Sequence, residues 1–234
     1  KVFRTLSKIV EPIVLKSAYL SYYVSDAMLA DQVKQYPFLE KRKKLVISTG
    51  YDIDDIRKVT PSKEKNGYIA HIGNADIDMN IDDFLGAVKD PEIQRVMLKV
   101  GLKFLFVGRK NNFVKERVRG QLVQFFEFKD YVPHNEALQL MADSNGLLIL
   151  GSNSEQRLNR KVFEYTALNR NVFYLGSISS PTANVVRECQ GYVSDVNTMH
   201  PNLIHFLSNL RKENPTLNLD YAKERLVNRL FSEL

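Results

Sequence analysis

From Tyr68 onward, short apolar runs recur with helix-patterned stretches between them, and this alternation leaves few folds open. The apolar runs fall at residues 68–72, 103–107, 122–126, 147–150, 171–175 and 191–193. Runs this short, bounded by polar and turn-forming residues, read as buried strands. The segments 81–88, 91–100, 113–119, 135–142, 160–168, 183–189 and 203–210 carry apolar residues at helical spacing instead. Buried strands alternating with amphipathic helices predict a parallel sheet covered on both faces. The expected fold class is α/β, with a Rossmann-like parallel sheet flanked by helices over residues 61–215.

The ends of the chain read differently. Residues 4–17 pattern as an amphipathic helix with Leu6, Ile9, Val10, Ile13 and Val14 on one side and Pro12 as a kink. A strand at 19–24 follows, then Ser25 and Asp26 as a helix-start signal before a helix at 27–35. A second strand, 44–48, runs into a turn at Thr49, Gly50, Tyr51 and Asp52. Residues 61–67 are polar and turn-rich, a linker. Residues 219–231 form a further amphipathic helix pattern. No repeat, low-complexity tract or heptad pattern interrupts this order.

Bulk properties narrow the chemistry. With 234 residues, 44% hydrophobic and 26% charged, the chain can bury a sizeable core. Cys189 is the single cysteine, so no internal disulfide or thiolate cluster can form, and a reducing cytoplasm is the expected compartment. His71, His134, His200 and His205 show no metal-ligand spacing. Asp76, Asp78, Asp82 and Asp83 lack the spacing and glycine of a calcium loop and read as a solvated helix start, so no metal is expected. The net charge of +6 concentrates at residues 40–44 and 109–119. An anionic membrane surface, nucleic acid or a diphosphate would each suit it; without a nucleic-acid motif, nucleic acid is set aside. No apolar run reaches the ~18 residues of a membrane span. The chain starts at Lys1 and starts helix-like, which fits a fragment whose first 48 residues expose apolar surface and pair between copies.

One segment concentrates the functional signal. The buried run Gly146–Leu150 leads through a polar loop, 151–159, into the helix at 160–168. A loop at the carboxyl end of a buried strand, entering a helix, is where open α/β sheets bind ligands. Glu164 sits near the start of that helix between Phe163 and Tyr165. A carboxylate there either complements the helix dipole or binds a ligand. Gly73 and Gly108 each end a strand, where they serve as plain turns or let backbone amides approach a phosphate. Neither belongs to a dinucleotide fingerprint or a Walker sequence.

Residues 161–165 (KVFEY), with Ala167 to Val172 after them, resemble the donor-site helix of GT-B glycosyltransferases, in particular family 4. The turn at Thr49–Asp52 is similar to the family's interdomain turn, with Thr where Asn is usual. The resemblance implies that residues 1–60 end an N-terminal domain and interdomain segment, that 61–215 bind a nucleotide sugar, and that 216–234 brace the other domain. It implies hexose transfer from a nucleotide diphosphate sugar to an acceptor hydroxyl on a glycan or lipid-linked saccharide, with no metal and no cofactor beyond the donor. Glu164 would bind the ribose hydroxyls, as a carboxylate can accept both. Tyr131 and Val132 would lie at the base, with Tyr131 stacking on it. The family's Arg and Lys after the first glycine are absent here, where Asn74 to Asp78 stand. Arg109 and Lys110, or Arg160 and Lys161, could supply the diphosphate clamp instead; alternatively this loop touches no phosphate, or activity is lost. Counting eight back from Glu164 gives Gln156 rather than the family's Glu, with Glu155 one position off; either could hold the sugar. No catalytic residue is assigned, and the fragment alone is expected to be inactive. The resemblance also suits a peripheral location at the inner face of the membrane. A nucleotide-sugar epimerase using His71, or a non-catalytic nucleotide-binding or interaction domain, are the rival readings.

Overall fold

The computed structural model describes residues 2–62, 66–75, 77–154, 156–210 and 219–232, with side chains from residue 8. Helix α1 (Val2–Ser17) is followed by β1 (Ser21–Tyr23), α2 (Asp26–Gln35), a 3-10 turn at Pro37–Lys41 and β2 (Lys44–Val46). β1 and β2 pair in parallel as a small sheet of their own. Ser25 caps α2, its hydroxyl accepting from the Met28 amide at 3.2 Å. The short helix α3 (Ile53–Arg57) then leads to the main domain.

That domain runs β3 (Tyr68–Ile72), α4 (Ile81–Val88), α5 (Pro91–Val100), β4 (Lys103–Val107), α6 (Asn112–Lys115), β5 (Phe126–Lys129), α7 (His134–Asp143), β6 (Gly146–Leu150), α8 (Lys161–Ala167), β7 (Val172–Leu175), α9 (Pro181–Glu188), β8 (Tyr192–Ser194) and α10 (Met199–Ser208). The six strands form one parallel sheet in the order β5-β4-β3-β6-β7-β8. The expected α/β class and covered parallel sheet are what the chain forms. The two-residue period of the strands divides the core between the faces. Ala70, Ile72, Leu105, Val107, Leu147 and Ile149 pack with α7, α8 and α9. Ile69, Phe104, Phe106, Leu148, Leu150 and Phe173 pack with α4, α5 and α10. Both faces are dry, which explains the near-continuous apolar runs in the sequence.

Three expectations need correction. Residues 122–126 are not a strand: Gly120–Phe125 form a 3-10 turn, and the edge strand starts at Phe126. Leu122 and Phe125 are buried while Val123 is 58% exposed, a three-residue period that an alternating strand cannot satisfy. The helix expected at 113–119 stops after Lys115, and the Arg119 side chain turns back to donate to the Glu116 carbonyl at 2.8 Å. The helix expected at 219–231 is a 3-10 turn (Leu219–Tyr221) followed by α11 (Lys223–Ser232). The break comes where Ala222 bridges Tyr51, with the Tyr51 amide donating to the Tyr221 carbonyl at 3.0 Å and the Lys223 amide to the Tyr51 carbonyl at 2.9 Å. Gly50 makes this approach possible: it has φ +60, and a Cβ there would lie 2.4 Å from the Tyr221 carbonyl oxygen.

β3 carries the pivotal side-chain contact. The buried Tyr165 hydroxyl on α8 accepts from the Ile72 amide, the last of β3, at 2.7 Å. Burial raises the phenol's pKa, so it stays protonated. Tyr165→Phe would strand the buried amide. A loss of about 1–3 kcal/mol in unfolding free energy is expected from urea denaturation; a change within error would show that water replaces the hydroxyl.

Candidate functional site

The strand order reverses at the centre of the sheet. From β3 the chain builds outward through β4 and β5, then returns with β6 on the other side of β3. The carboxyl ends of β3 and β6 therefore diverge into a crevice, the topological switch point. A cavity of about 610 Å³ opens there, lined by the end of β3 (His71, Gly73, Asn74), by Arg157, Asn159, Arg160, Lys161 and Glu164, and by Lys223. A second, of about 490 Å³, shares Ile72, Gly73, Asn74 and Lys161 with it and continues between Gly108, Arg109, Tyr131, Val132 and His134. A smaller recess of about 110 Å³ reaches from Glu164 and Lys223 to His134 and Asp55.

Most of the residues singled out from sequence converge here. Lys161 and Glu164 lie one turn apart on α8, and their side chains pair at 2.5 Å. Val162, Phe163, Tyr165, Thr166 and Ala167 are all buried, so this short helix turns just its Lys161 and Glu164 corner to the cleft. The Asn159 side chain accepts from the Lys161 amide at 3.1 Å and fixes the turn into α8. Arg109 lies over the Tyr131 ring with its guanidinium carbon 4.3 Å from the centroid. Val132 is buried behind them. Lys110 and Gln156 line none of these cavities; Gln156 instead accepts from the Ser154 hydroxyl at 3.2 Å. Glu155 and Asp76 lie outside the described residues.

Gly73 and Gly108 are more than turn glycines. Their φ angles are +146 and +158, and a Cβ on Gly108 would stand 2.3 Å from the Gly73 carbonyl oxygen. The two strand ends touch through bare backbone at the edge of the cavity.

The structure adds residues that sequence reading passed over. Arg157 pairs with Asp78, so one charge of the aspartate-bearing loop is already neutralised where it meets the cleft. Lys223 arrives from the far end of the chain through the Tyr51–Ala222 bridge. His134 faces Asp55 at 3.5 Å. Four cations, Arg157, Arg160, Lys161 and Lys223, line the larger cavity against the single carboxylate Glu164 among the described residues. The basic residues of 151–161 were a visible signal; a lysine more than fifty residues away was not. Away from the cleft, Asp90, Glu92 and His200 are the one group of potential metal ligands among the described residues, and Asp90 and His200 there already pair at 3.2 Å. No helix of the described residues is long and apolar enough to cross a membrane.

No family model matches the sequence, and no curated protein does. Solved structures do match in fold. TarM superposes with a TM-score of 0.70 at 16% identity, over 98% of this chain and 46% of its own. The GtfA/B complex gives 0.67 at 13%, over 94% and 47%. HepE of Anabaena, solved with UDP and glucose, gives 0.61 at 14%, over 98% and 67%. The fold is that of the GT-B glycosyltransferases. The chain spans about half the length of the first two of these structures, consistent with a C-terminal half.

The backbone contact at the cavity edge gives a direct check. Gly108→Ala should cost about 1–3 kcal/mol through forced separation of the strand ends. Gly86→Ala, on α4 with open space around the added methyl, should instead stabilise by roughly 0.5–1 kcal/mol. Equal effects of the two substitutions on thermal melting would contradict the close approach.

Proposed function

We propose that the cleft binds a nucleotide diphosphate sugar and that the protein transfers a hexose from it to an acceptor hydroxyl. The observation that carries this reading is the single turn of α8 that presents Lys161 and Glu164 together at the switch point. A carboxylate next to an ammonium suits a ribose diol beside a phosphate: Glu164 accepts two hydroxyl protons, and Lys161 exchanges part of its pairing for an anionic oxygen. The diphosphate would sit over Gly73 and Asn74, where backbone can approach it, with Arg157, Arg160 and Lys223 around it. The base would occupy the adjoining cavity beside Tyr131, whose ring already carries Arg109, against the backbone near Val132.

The four cations offset charge growing on the leaving diphosphate, and this electrostatic stabilisation is the main source of rate acceleration expected in such a transfer. They answer the absence of the family's Arg and Lys after the first strand, since side chains from the α8 turn and from α11 reach the same cavity. Among the fold's relatives, a structure solved with UDP and glucose supports a nucleotide-sugar reading over an epimerase or a purely structural role. Residues 1–60 and 216–234 are read as segments that meet a second, acceptor-binding domain, and the transfer itself as a property of the whole enzyme. The acceptor is a glycan or lipid-linked saccharide handled at the cytoplasmic side of a membrane. Ile9, Val10, Ile13 and Val14 of α1 are exposed in keeping with such a contact.

Glu164→Ala should weaken UDP or GDP binding by on the order of tenfold to a few hundredfold, since each charged acceptor bond contributes about 1.5–3 kcal/mol. Glu164→Gln should lose less, because one carbonyl acceptor remains. Calorimetry and melting temperature measured on the same variants decide the matter: unchanged affinity with a lowered melting temperature would leave Glu164 as a helix-stabilising charge and remove it from the site.

A further inference from the structure

His71 is buried, at 4% exposure, on the β3 strand that forms the cavity floor, and it lines the larger cavity. Its Nδ1 lies 3.1 Å from the Leu148 carbonyl on β6. A carbonyl accepts and cannot donate, so the proton of the neutral ring sits on Nδ1 and Nε2 holds a bare lone pair. Nε2 is closed off from solvent and has no hydrogen-bond partner. The Asn74 backbone adjoins the ring and favours its charged form, yet burial outweighs both backbone contacts and holds the pKa below the ordinary imidazole value. The neutral ring is thus set between two backbone groups that each suit a donor, and it can serve one of them.

Burial is what keeps the ring neutral, and its neighbours decide what could change that. Phe106 of β4 packs against it with centroids 5.1 Å apart and offers no charge. From the cavity, Arg157, Arg160, Lys161 and Lys223 face it against Glu164, and two of these cations are paired, Arg157 with Asp78 and Lys161 with Glu164. Positive charge in the cavity opposes a further proton, and a bound diphosphate offsets that charge. We propose that His71 is the proton acceptor of this site: seating a diphosphate above Gly73 and Asn74 draws one proton onto Nε2, which then donates to the Asn74 backbone. The proposal rests on the nucleotide-sugar reading of the cavity. It makes binding a three-body event of protein, ligand and proton, in which affinity falls as pH rises.

The probe is UDP-glucose, with GDP-mannose as a second. Both are diphosphate diesters with no phosphate group titrating near neutrality, so any proton taken up belongs to the protein. Titration calorimetry in MOPS and in Tris, buffers of different ionisation enthalpy, should show uptake of up to one proton per ligand, with affinity falling by up to about tenfold per pH unit between the His71 pKa of the free protein, below the ordinary imidazole value, and that of the complex, and levelling off above it. His71→Gln should bind with no His71-linked uptake, whereas His134→Gln, which alters the other imidazole at the cleft, should retain it. Imidazole nitrogen NMR on the unaltered protein reads the same event without a variant: His71 should show the Nδ1-protonated neutral form alone and the doubly protonated form with UDP-glucose. Binding without proton uptake, or with uptake that persists in His71→Gln, would overturn this proposal and leave the donor site standing. No binding of either sugar nucleotide at millimolar concentration would instead overturn the donor-site reading, and this inference with it.

Discussion

The contact between the Tyr165 hydroxyl and the Ile72 amide organises the functional end of this domain. A strand's last amide must find an acceptor or remain desolvated without one. Here the acceptor belongs to the helix that follows the neighbouring strand β6, so α8 is held against the end of β3 at the point where the strand order turns. Lys161 and Glu164 inherit their position from that tether, because the rest of α8 is buried and has no freedom to rotate. The aromatics on either side of Glu164 fix its direction: Phe163 packs on Tyr221, Tyr165 reaches β3, and the carboxylate is left facing the crevice.

The sheet was legible because its physics is local. Strands buried on both faces must be apolar at every position, and helices covering them must be apolar at every third or fourth; both patterns survive in the sequence. The 3-10 turn at Gly120–Phe125 was not legible, since five consecutive residues with apolar members at 122, 123, 125 and 126 satisfy a strand pattern equally well. Which of them is buried depends on what packs above, and that is settled by tertiary contact. The same holds for α11, whose first residues are drawn into a bridge with Tyr51 that no local signal announces.

For the cleft, residues within one strand-loop-helix unit were readable and residues from elsewhere were not. Lys161, Glu164 and the strand-ending glycines follow from position relative to β3, β4 and β6. The aspartates after Gly73 by themselves disfavour phosphate, and the partner that offsets one of them, Arg157 on Asp78, comes from 79 residues along the chain. Likewise Lys110 sits beside Arg109 in sequence, yet Arg109 alone of the two lines the cavity, stacked on Tyr131.

The bridge that carries Lys223 into the cleft has a consequence for how the chain's two ends communicate. Tyr51 holds the approach to α11 through backbone hydrogen bonds to Tyr221 and Lys223, at a point where a Cβ on Gly50 could not fit. Tyr221 adds a hydroxyl contact to Glu188 at the end of α9 and a ring contact to Phe163. Any anion that engages Lys223 and Lys161 together spans this seam from outside and shares its load. The wall that Lys223 gives the cleft is therefore only as firm as the seam between α11 and the Gly50–Tyr51 turn.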